Sequence, residues 1–314
     1  MNIAAVVIGR NEGERLIACL DALQGQVAPI VYVDSGSTDG SVAAAEARSA
    51  KVIALDMTQP FTAARARNAG IAALPEGVLY VQLLDGDCVL RDGWLRTAQE
   101  FLDANPQAAV VCGRRRERHP EASVYNALID DEWDTPIGQA KACGGDALMR
   151  LDALRAVGGY RDDLIAGEEP ELCVRLRQAG WKVWRLDAEM TWHDAAITRF
   201  GQWWKRSKRA GHAFAEGAAL HGEPPEGHWV AETRRALIWG AAIPVTILLL
   251  TLLVNPWALL MLAIYPLQVV RLARQKSFAW AFFTTLGNLP EELGAMQFYR
   301  NRLTRRSQGI IEYK

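Results

Sequence analysis

The sequence predicts an α/β fold: a doubly wound, mostly parallel sheet with flanking helices, followed by a C-terminal hydrophobic helical hairpin. Three observations carry this. Short apolar runs alternate with segments of helical spacing from the N-terminus onward. Several of those runs stop on an acidic or glycine-containing turn, the edge at which such sheets bind ligands. Two uncharged stretches occupy the last third of the chain, the first over residues 237–254.

Residues 3–8 are a continuous apolar run, Gly9, Arg10, Asn11, Glu12 and Gly13 interrupt it, and Leu16, Ile17, Leu20 and Leu23 recur at helical spacing. This is strand, loop, helix. Residues 30–34 form a second strand ending on Asp34, and the turn over 35–40 is rich in groups that cap the helix beyond it. A third strand covers 52–55, a helix over 61–73 carries Arg65, Arg67 and Asn68, and a fourth strand over 79–84 runs into Asp85, Gly86 and Asp87. Two carboxylates two residues apart at a strand end can address one divalent cation, and the glycine between them lets a ligand approach the backbone. Standing alone, such a triplet is more often a solvated turn.

Residues 94–102 read as a helix and 108–112 as a strand. Arg114, Arg115, Arg116 and Arg118 then offer four guanidinium groups, suited to an anionic substrate or lipid headgroup and equally to a solvated loop facing the acidic cluster of Asp130, Asp131, Glu132 and Asp134. Cys143, Gly144, Gly145 and Asp146 make a tight turn where backbone can approach a substrate. Glu168 and Glu169 precede a helix that opens on Pro170 and stops at Gly180. The helix dipole favours ionised carboxylates there, which keeps them competent as proton acceptors. A strand over 183–186 leads to His193. Beyond it Phe200, Trp203 and Trp204 interleave with Arg199, Lys205, Arg206, Lys208 and Arg209, the pattern of a helix lying on an anionic membrane.

Residues 237–254 have the length of a membrane span. After Asn255 and Pro256, residues 257–270 are uncharged again but short for an independent span. Arg234 and Arg235 precede the first stretch and Arg271, Arg274 and Lys276 follow the second, so both outer ends are expected on the cytoplasmic side. Residues 278–289 are apolar but interrupted by Gly287 and Pro290, and the basic tail over 300–306 fits the same side. The contrary expectation is a pair of buried helices in a soluble domain.

Composition narrows the function classes. A net charge of −1 over 314 residues lacks the basic footprint of a nucleic-acid-binding protein. Five scattered cysteines with no Cys-x-x-Cys pair suggest neither a zinc site nor a disulfide framework, and reduced cytosolic thiols are the simpler expectation. No basic lead and apolar core precede the first strand, so a signal peptide is not expected. The glycine fingerprints of dinucleotide-binding and P-loop folds are missing.

In order along residues 3 to about 215, the chain resembles the inverting family 2 glycosyltransferases of the GT-A fold, a Rossmann-like nucleotide-diphospho-sugar transferase architecture. The resemblance is carried by Val-Val-Ile-Gly-Arg-Asn-Glu, Val-Asp-Ser-Gly-Ser-Thr-Asp-Gly, Ala-Arg-Asn-Ala-Gly, Asp-Gly-Asp, and Gly-Glu-Glu ahead of Leu-Cys-Val-Arg-Leu-Arg-Gln-Ala-Gly-Trp. It implies a nucleotide-diphospho-sugar donor. Glu12 and Asp34 would contact base or ribose, with Ile8, Arg10, Asn11, Ser35, Arg67, Asn68, Asp85 and Gly86 completing the donor site. Asp87, with Asp85 and His193, would hold Mn²⁺ or Mg²⁺ on the diphosphate, whose developing charge must be neutralised before it can leave. Glu169, or else Glu168, would be the general base of a single inverting displacement. Ser35 stands where the family often has a second aspartate that helps select uracil, so the base is left open. Gln202-Trp203-Trp204 is only superficially like the Gln-x-x-Arg-Trp of processive synthases, and single addition is expected.

Gly144, Gly145, Asp146, Arg114 and Trp203 are expected on the acceptor side, with a lipid-linked glycan or glycolipid precursor as acceptor and membrane lipids as neighbours. The expected division is a catalytic domain over 1–215, a linker over 216–236 and membrane-associated helices over 237–314, at the inner membrane with the catalytic domain cytoplasmic. The competing class is a non-catalytic, membrane-anchored nucleotide-sugar-binding or scaffold protein, against which the presence of Glu169 argues. A phosphohydrolase built on Asp85 and Asp87 would continue into threonine, whereas Cys88, Val89 and Leu90 follow.

Overall fold

Strands β1 (Ile3–Gly9), β2 (Ile30–Asp34), β3 (Lys51–Ala54) and β4 (Tyr80–Asp85) pair in parallel in the order β3-β2-β1-β4. β1 and β2 are buried almost throughout, as parallel strands covered on both faces require. Helices α1 (Glu14–Leu23), α2 (Ser41–Glu46) and α3 (Ala63–Ala72) make the crossovers. The apolar stripe of α1 buries Leu16, Cys19, Leu20 and Leu23, each leucine contributing about 1.5–3 kcal/mol by leaving water. Against β1, α3 comes so close that a Cβ on Gly70 would lie 2.3 Å from Val6 Cγ1. The chain is described here from a computed structural model over residues 2–304.

β5 (Cys88–Leu90), β6 (Ala108–Glu117), β7 (Gly138–Ala140), β8 (Ala147–Arg150) and β9 (Lys182–His193) extend the sheet to nine strands in the order β3-β2-β1-β4-β8-β6-β9-β5, with β7 on β9. The expectation of a mostly parallel sheet therefore holds for the N-terminal half and needs correction for the rest. β8 is antiparallel to both β4 and β6, β5 and β7 are antiparallel to β9, and β6 with β9 is parallel. The Gly144–Gly145 turn explains the change of direction: it delivers the chain beside Leu83, at the carboxyl end of β4, so β8 has to run back along it. Two strands outrun their sequence limits. β6 continues through the arginine cluster, which is therefore not a loop, and β9 continues to His193.

Helices α4 (Trp94–Ala104), α5 (Val124–Glu132), α6 (Leu151–Ala156) and α7 (Glu168–Gln178) follow the sheet. α7 starts two residues earlier than the proline rule suggests. Gly167 takes a left-handed φ of 79° at its N-cap, so Glu168 and Glu169 form the first turn and Pro170 is its third residue.

The described chain separates into two compact units, one reaching Glu121 and resuming over Ile129–Ala196, the other comprising Ala122–Leu128 and the chain from Ile197 on. The second unit opens with α8 (Phe200–His221), which crosses residue 215 without a break, so the sequence boundary there falls inside a helix. α9 (Val230–Leu237), a π-helical turn (Ile238–Ala242) and α10 (Ile243–Leu253) form one apolar rod, Val230–Leu253. Asn255 caps the next segment by accepting from the Trp257 N–H, and a 3₁₀ stretch runs into α11 (Ile264–Ala273). Among the described residues, Val230–Leu253 and Pro256–Ala273 are the helices long and apolar enough to cross a membrane. Leu252, Leu253, Val254 and Trp257 are each at least 70% exposed, so these are not the buried helices of a soluble core.

α12 (Phe278–Thr304) runs unbroken through Gly287 and Pro290, where the sequence suggested interruption. It meets α8 through glycines: a Cβ on Gly211 would lie 1.9 Å from the Glu291 carbonyl oxygen, and one on Gly294 2.0 Å from that of Lys208. Residues 305 and 306 of the basic tail lie outside the described residues.

Candidate active site

The parallel strands end along one edge, and that edge gathers the residues the sequence singled out. Asp34 at the end of β2 is buried and fully engaged: Oδ2 accepts from the Gly36 N–H (3.0 Å) and the Ser37 N–H (2.9 Å), and Oδ1 from the Tyr32 hydroxyl (3.0 Å). The Asn11 carboxamide oxygen accepts from the Thr38 N–H (2.7 Å), which ties the loop after β1 to the turn after β2. Ser35 is buried beside them, and its hydroxyl has no hydrogen-bond partner among the described residues. A buried hydroxyl left without a partner is the mark of a site that a polar ligand completes. Glu12 pairs with Arg15 at 2.7 Å, and Arg10 is exposed. The Gly86 N–H donates to the Ile8 carbonyl at 2.8 Å, and a Cβ on Gly86 would press on Glu12 and that same carbonyl at 3.2 and 3.3 Å, so glycine fits the seam between β1 and β4.

Arg67 is the hub. Its buried guanidinium donates to Asp85 Oδ1 (2.7 Å) and to Glu168 Oε1 (2.6 Å), joining the ends of β4 and α7. Partial burial pushes the Asp85 carboxyl above its usual value, Arg67 pulls it down, and Asp146 and Asp87 push it up again. Asn68, expected near the nucleotide, instead braces the loop before α7: its side chain donates to the Tyr160 carbonyl and to Asp162, and accepts from the Tyr160 N–H. Asp146, expected on the acceptor side, is wholly buried. It pairs with Arg115 at 3.1 Å and accepts from the Thr191 hydroxyl at 3.0 Å. Arg114 is likewise committed, to Asp130 at 2.9 Å. At the two glycines the backbone packs closely: a Cβ on Gly145 would lie 2.8 Å from Arg67 Nη2 and 3.2 Å from Asp85 Oδ2, and Gly144 takes a φ of 84°. Trp203 belongs to the second unit, where it is buried against Tyr125 and Phe283.

Asp87 and His193 come together from β4's end and β9's end, His193 Nε2 lying 3.4 Å from Asp87 Oδ1. Nδ1 of the same ring faces Glu117 at 4.0 Å, and Trp133 stands edge-on to it at 4.7 Å between centroids. Burial would raise the Glu117 carboxyl, but His193 and the backbone N–H groups of Ala195 and His119 outweigh it and hold the acid below its usual value. An ionised carboxylate behind an imidazole, with a second carboxylate in front, is the arrangement that orients a metal-ligating histidine. An oxygen donor from Asp87 and a nitrogen donor from His193 suit Mn²⁺ or Mg²⁺, so these residues fit such an ion. Glu117 escaped the sequence reading because it follows the arginine cluster that reads as loop; the register of β6 with β9, which pairs Glu117 with His193, is what reveals it.

Glu169 is buried in the first turn of α7, and four donors surround it. Oε1 accepts from the Cys143 N–H, the Cys143 thiol and the Cys173 thiol, each at 2.8 Å, and Oε2 accepts from the Gly144 N–H at 2.9 Å. Oε2 thus keeps more of its lone-pair capacity than Oε1. The turn that grips Glu169 through Gly144 is the one whose Gly145 touches Asp85 and Arg67, so Glu169 and the Asp85–Arg67 pair share one wall.

The sheet and its flanking helices have the GT-A fold. Residues 5–153 match the family described as Glycosyl transferase family 2. It is 26% identical over 231 residues to the succinoglycan biosynthesis protein ExoA of Rhizobium meliloti (strain 1021), covering 68% of this chain and 70% of that protein. It is 26% identical over 237 residues to the pre-mycofactocin glycosyltransferase of Mycobacterium tuberculosis (strain CDC 1551 / Oshkosh), covering 70% of this chain and about half, 48%, of the relative. In fold it is similar to the mannosyltransferase PcManGT of Pyrobaculum calidifontis, solved with GDP-Man and Mn²⁺, with a TM-score of 0.66 at 20% identity over 94% of this chain and 87% of the other.

Proposed function

We propose that the chain is an inverting, single-addition glycosyltransferase that moves a sugar from a nucleotide-diphospho-sugar to a hydroxyl of a lipid-linked glycan or glycolipid precursor, at the cytoplasmic face of the inner membrane. The observation that carries the reading is the shared turn: Asp85 and Arg67 lie against Gly145 on one side, and Glu169 is gripped by the Gly144 N–H on the other. The family match and the Mn²⁺ and GDP-Man bound by the similar mannosyltransferase support it.

In this reading the loop after β1 and the turn after β2 hold the nucleoside, with Asp34 orienting the turn and the Ser35 hydroxyl finding its partner there. Asp87 and His193 hold Mn²⁺ or Mg²⁺, which when bound neutralises charge on the departing diphosphate. Arg67 fixes Asp85 and Glu168 in register. Glu169 Oε2 takes the acceptor hydroxyl's proton while that oxygen attacks the anomeric carbon on the face opposite the diphosphate, and one displacement inverts the centre. Thiol and N–H donors fix the orientation of the Glu169 carboxyl group, whereas Glu168 is already paired with Arg67, which favours Glu169 as the base. The exposed apolar faces of Val230–Leu253 and Pro256–Ala273 support membrane attachment and hence a lipid-linked acceptor.

The test is metal-dependent release of nucleoside diphosphate from a panel of donors in the presence of lipid acceptor. Asp87→Ala should lose the metal dependence together with turnover. Glu169→Gln should keep donor binding and lose about 10²–10⁴-fold in rate. Turnover surviving both substitutions overturns the mechanism, and donor binding by a wild-type chain that never turns over on any acceptor favours the scaffold class.

A further inference from the structure

Cys143 lies in a turn and Cys173 in the second turn of α7, yet their Sγ atoms are 4.0 Å apart and each is 2.8 Å from Glu169 Oε1. One donor atom from each of the three lies within 4.8 Å of the others. Two thiols and a carboxylate are the donor set that a thiophilic divalent cation selects, whereas the cluster of Asp87, Cys88 and His193 offers one thiol only. In a tetrahedral zinc site two bonds of about 2.3 Å place the sulfurs about 3.8 Å apart. The observed 4.0 Å between the sulfurs already matches, and the Glu169 carboxylate has to draw back from 2.8 Å to about 3.5 Å from each sulfur for the cation to enter. Cys173 is buried, while Cys143 is partly exposed and offers the way in.

We propose that Cys143, Glu169 and Cys173 form a second metal site, for a cation of the zinc or cadmium class, and that filling it inhibits the enzyme. The inhibitory half rests on the reading of Glu169 as the general base; the binding half does not. On binding, the two S–H bonds break, two metal–sulfur bonds form, and both protons go to solvent. Glu169 exchanges two thiol hydrogen bonds for one bond to the cation, and no electron is transferred. The cluster carries one negative charge before, from the carboxylate, and one after, from two thiolates, a carboxylate and a dication. A buried pocket can accept this exchange because its net charge does not change.

Proton displacement sets the pH dependence. Despite the lowering effect of the Cys143 contact, burial and Glu169 push the Cys173 thiol up to about 11, and burial together with the Cys173 contact raises Cys143 further. Cys112 on β6, Tyr160 and Arg177 also face the pair. Two thiol protons leave per cation bound, so affinity should rise with pH.

Cadmium titration of the full chain in detergent, with excess Mn²⁺ present, reads the site through its thiolate-to-metal ultraviolet band. The expected result is one band-forming cation per chain and two protons released. Cys143→Ala and Cys173→Ser should each abolish the band, and Cys88→Ala, which removes the thiol beside Asp87 and His193, should retain it. A band that survives Cys143→Ala and Cys173→Ser, or that vanishes with Cys88→Ala, overturns the site. Turnover followed in the same titration separates the two readings. Inhibition that tracks the band, reversed by chelation and fresh Mn²⁺, supports both. A full band with unchanged turnover upholds the site and removes Glu169 from the role of base.

Discussion

His193 sits between two carboxylates that do different things. Asp87 meets it at Nε2, where a metal would be shared, and Glu117 stands behind Nδ1. Glu117 also accepts the N–H groups of Ala195 and His119, so it is fixed before any ligand arrives. Glu117→Gln keeps one acceptor oxygen for that backbone but loses the charge that sets the imidazole's tautomer. Mn²⁺ affinity measured by calorimetry should fall about 10–100-fold with the fold intact, while donor binding in the absence of metal should not move. An unchanged affinity would mean that Glu117 serves only the backbone. Asp87 and His193 stood out as candidates from motif position, whereas Glu117, Cys143 and Cys173 did not. Thirty residues separate those two cysteines in the sequence, and spacing rules for metal sites see nothing there. Arg114 and Asp146 show the converse: charged residues in suggestive places that the fold spends on internal pairs with Asp130 and Arg115.

Among the elements, the βα units were legible because each strand is apolar and each turn carries capping or acidic groups. The direction of β8 was not, since a short apolar run reads the same either way and only the tight turn before it decides. The lengths of β6 and β9 were hidden for a related reason: charged residues such as Arg116 and Glu189 look like loop, but on adjacent strands they pair, here at 2.7 Å. That turn before β8 is also where an element meets the chemistry. Gly145→Ala puts a methyl 2.8 Å from Arg67 Nη2, a group held on both sides and unable to swing away without breaking the Asp85 or Glu168 pair. Turnover should drop about 10²-fold, as expected for a displacement of about 1 Å at the reacting groups, with thermal stability little changed. A wild-type rate in Gly145→Ala would show that the Arg67 bridge is not needed for the reaction.

For the whole molecule, the question is what covers the apolar faces of the second unit. Val245, Leu248, Leu252 and Leu253 are each more than half exposed on a rod of 24 residues, and a second apolar helix of 18 residues follows one short turn later. Arg234 and Arg235 lie near the start of the first helix and Arg271, Arg274 and Lys276 at and beyond the end of the second, with no basic residue at the turn, which fits a hairpin with both ends on one side. Water cannot be the solvent for such a surface, so the full chain should sediment with membranes and need detergent to leave them. Val245 lies near the middle of the uncharged stretch, and an arginine there should cost about 2.5–3.5 kcal/mol of insertion, on the order of a 100-fold shift toward the unbound or misfolded chain. Val245→Leu at the same position should be silent. Alkaline carbonate washing then separates the two ways of meeting a membrane: a hairpin that crosses the bilayer stays in the pellet, and one that only dips into the interface is released. Recovery of the wild-type chain in the soluble fraction without detergent would remove the membrane, and with it the argument for a lipid-linked acceptor, while leaving the sugar-transfer edge of the sheet untouched.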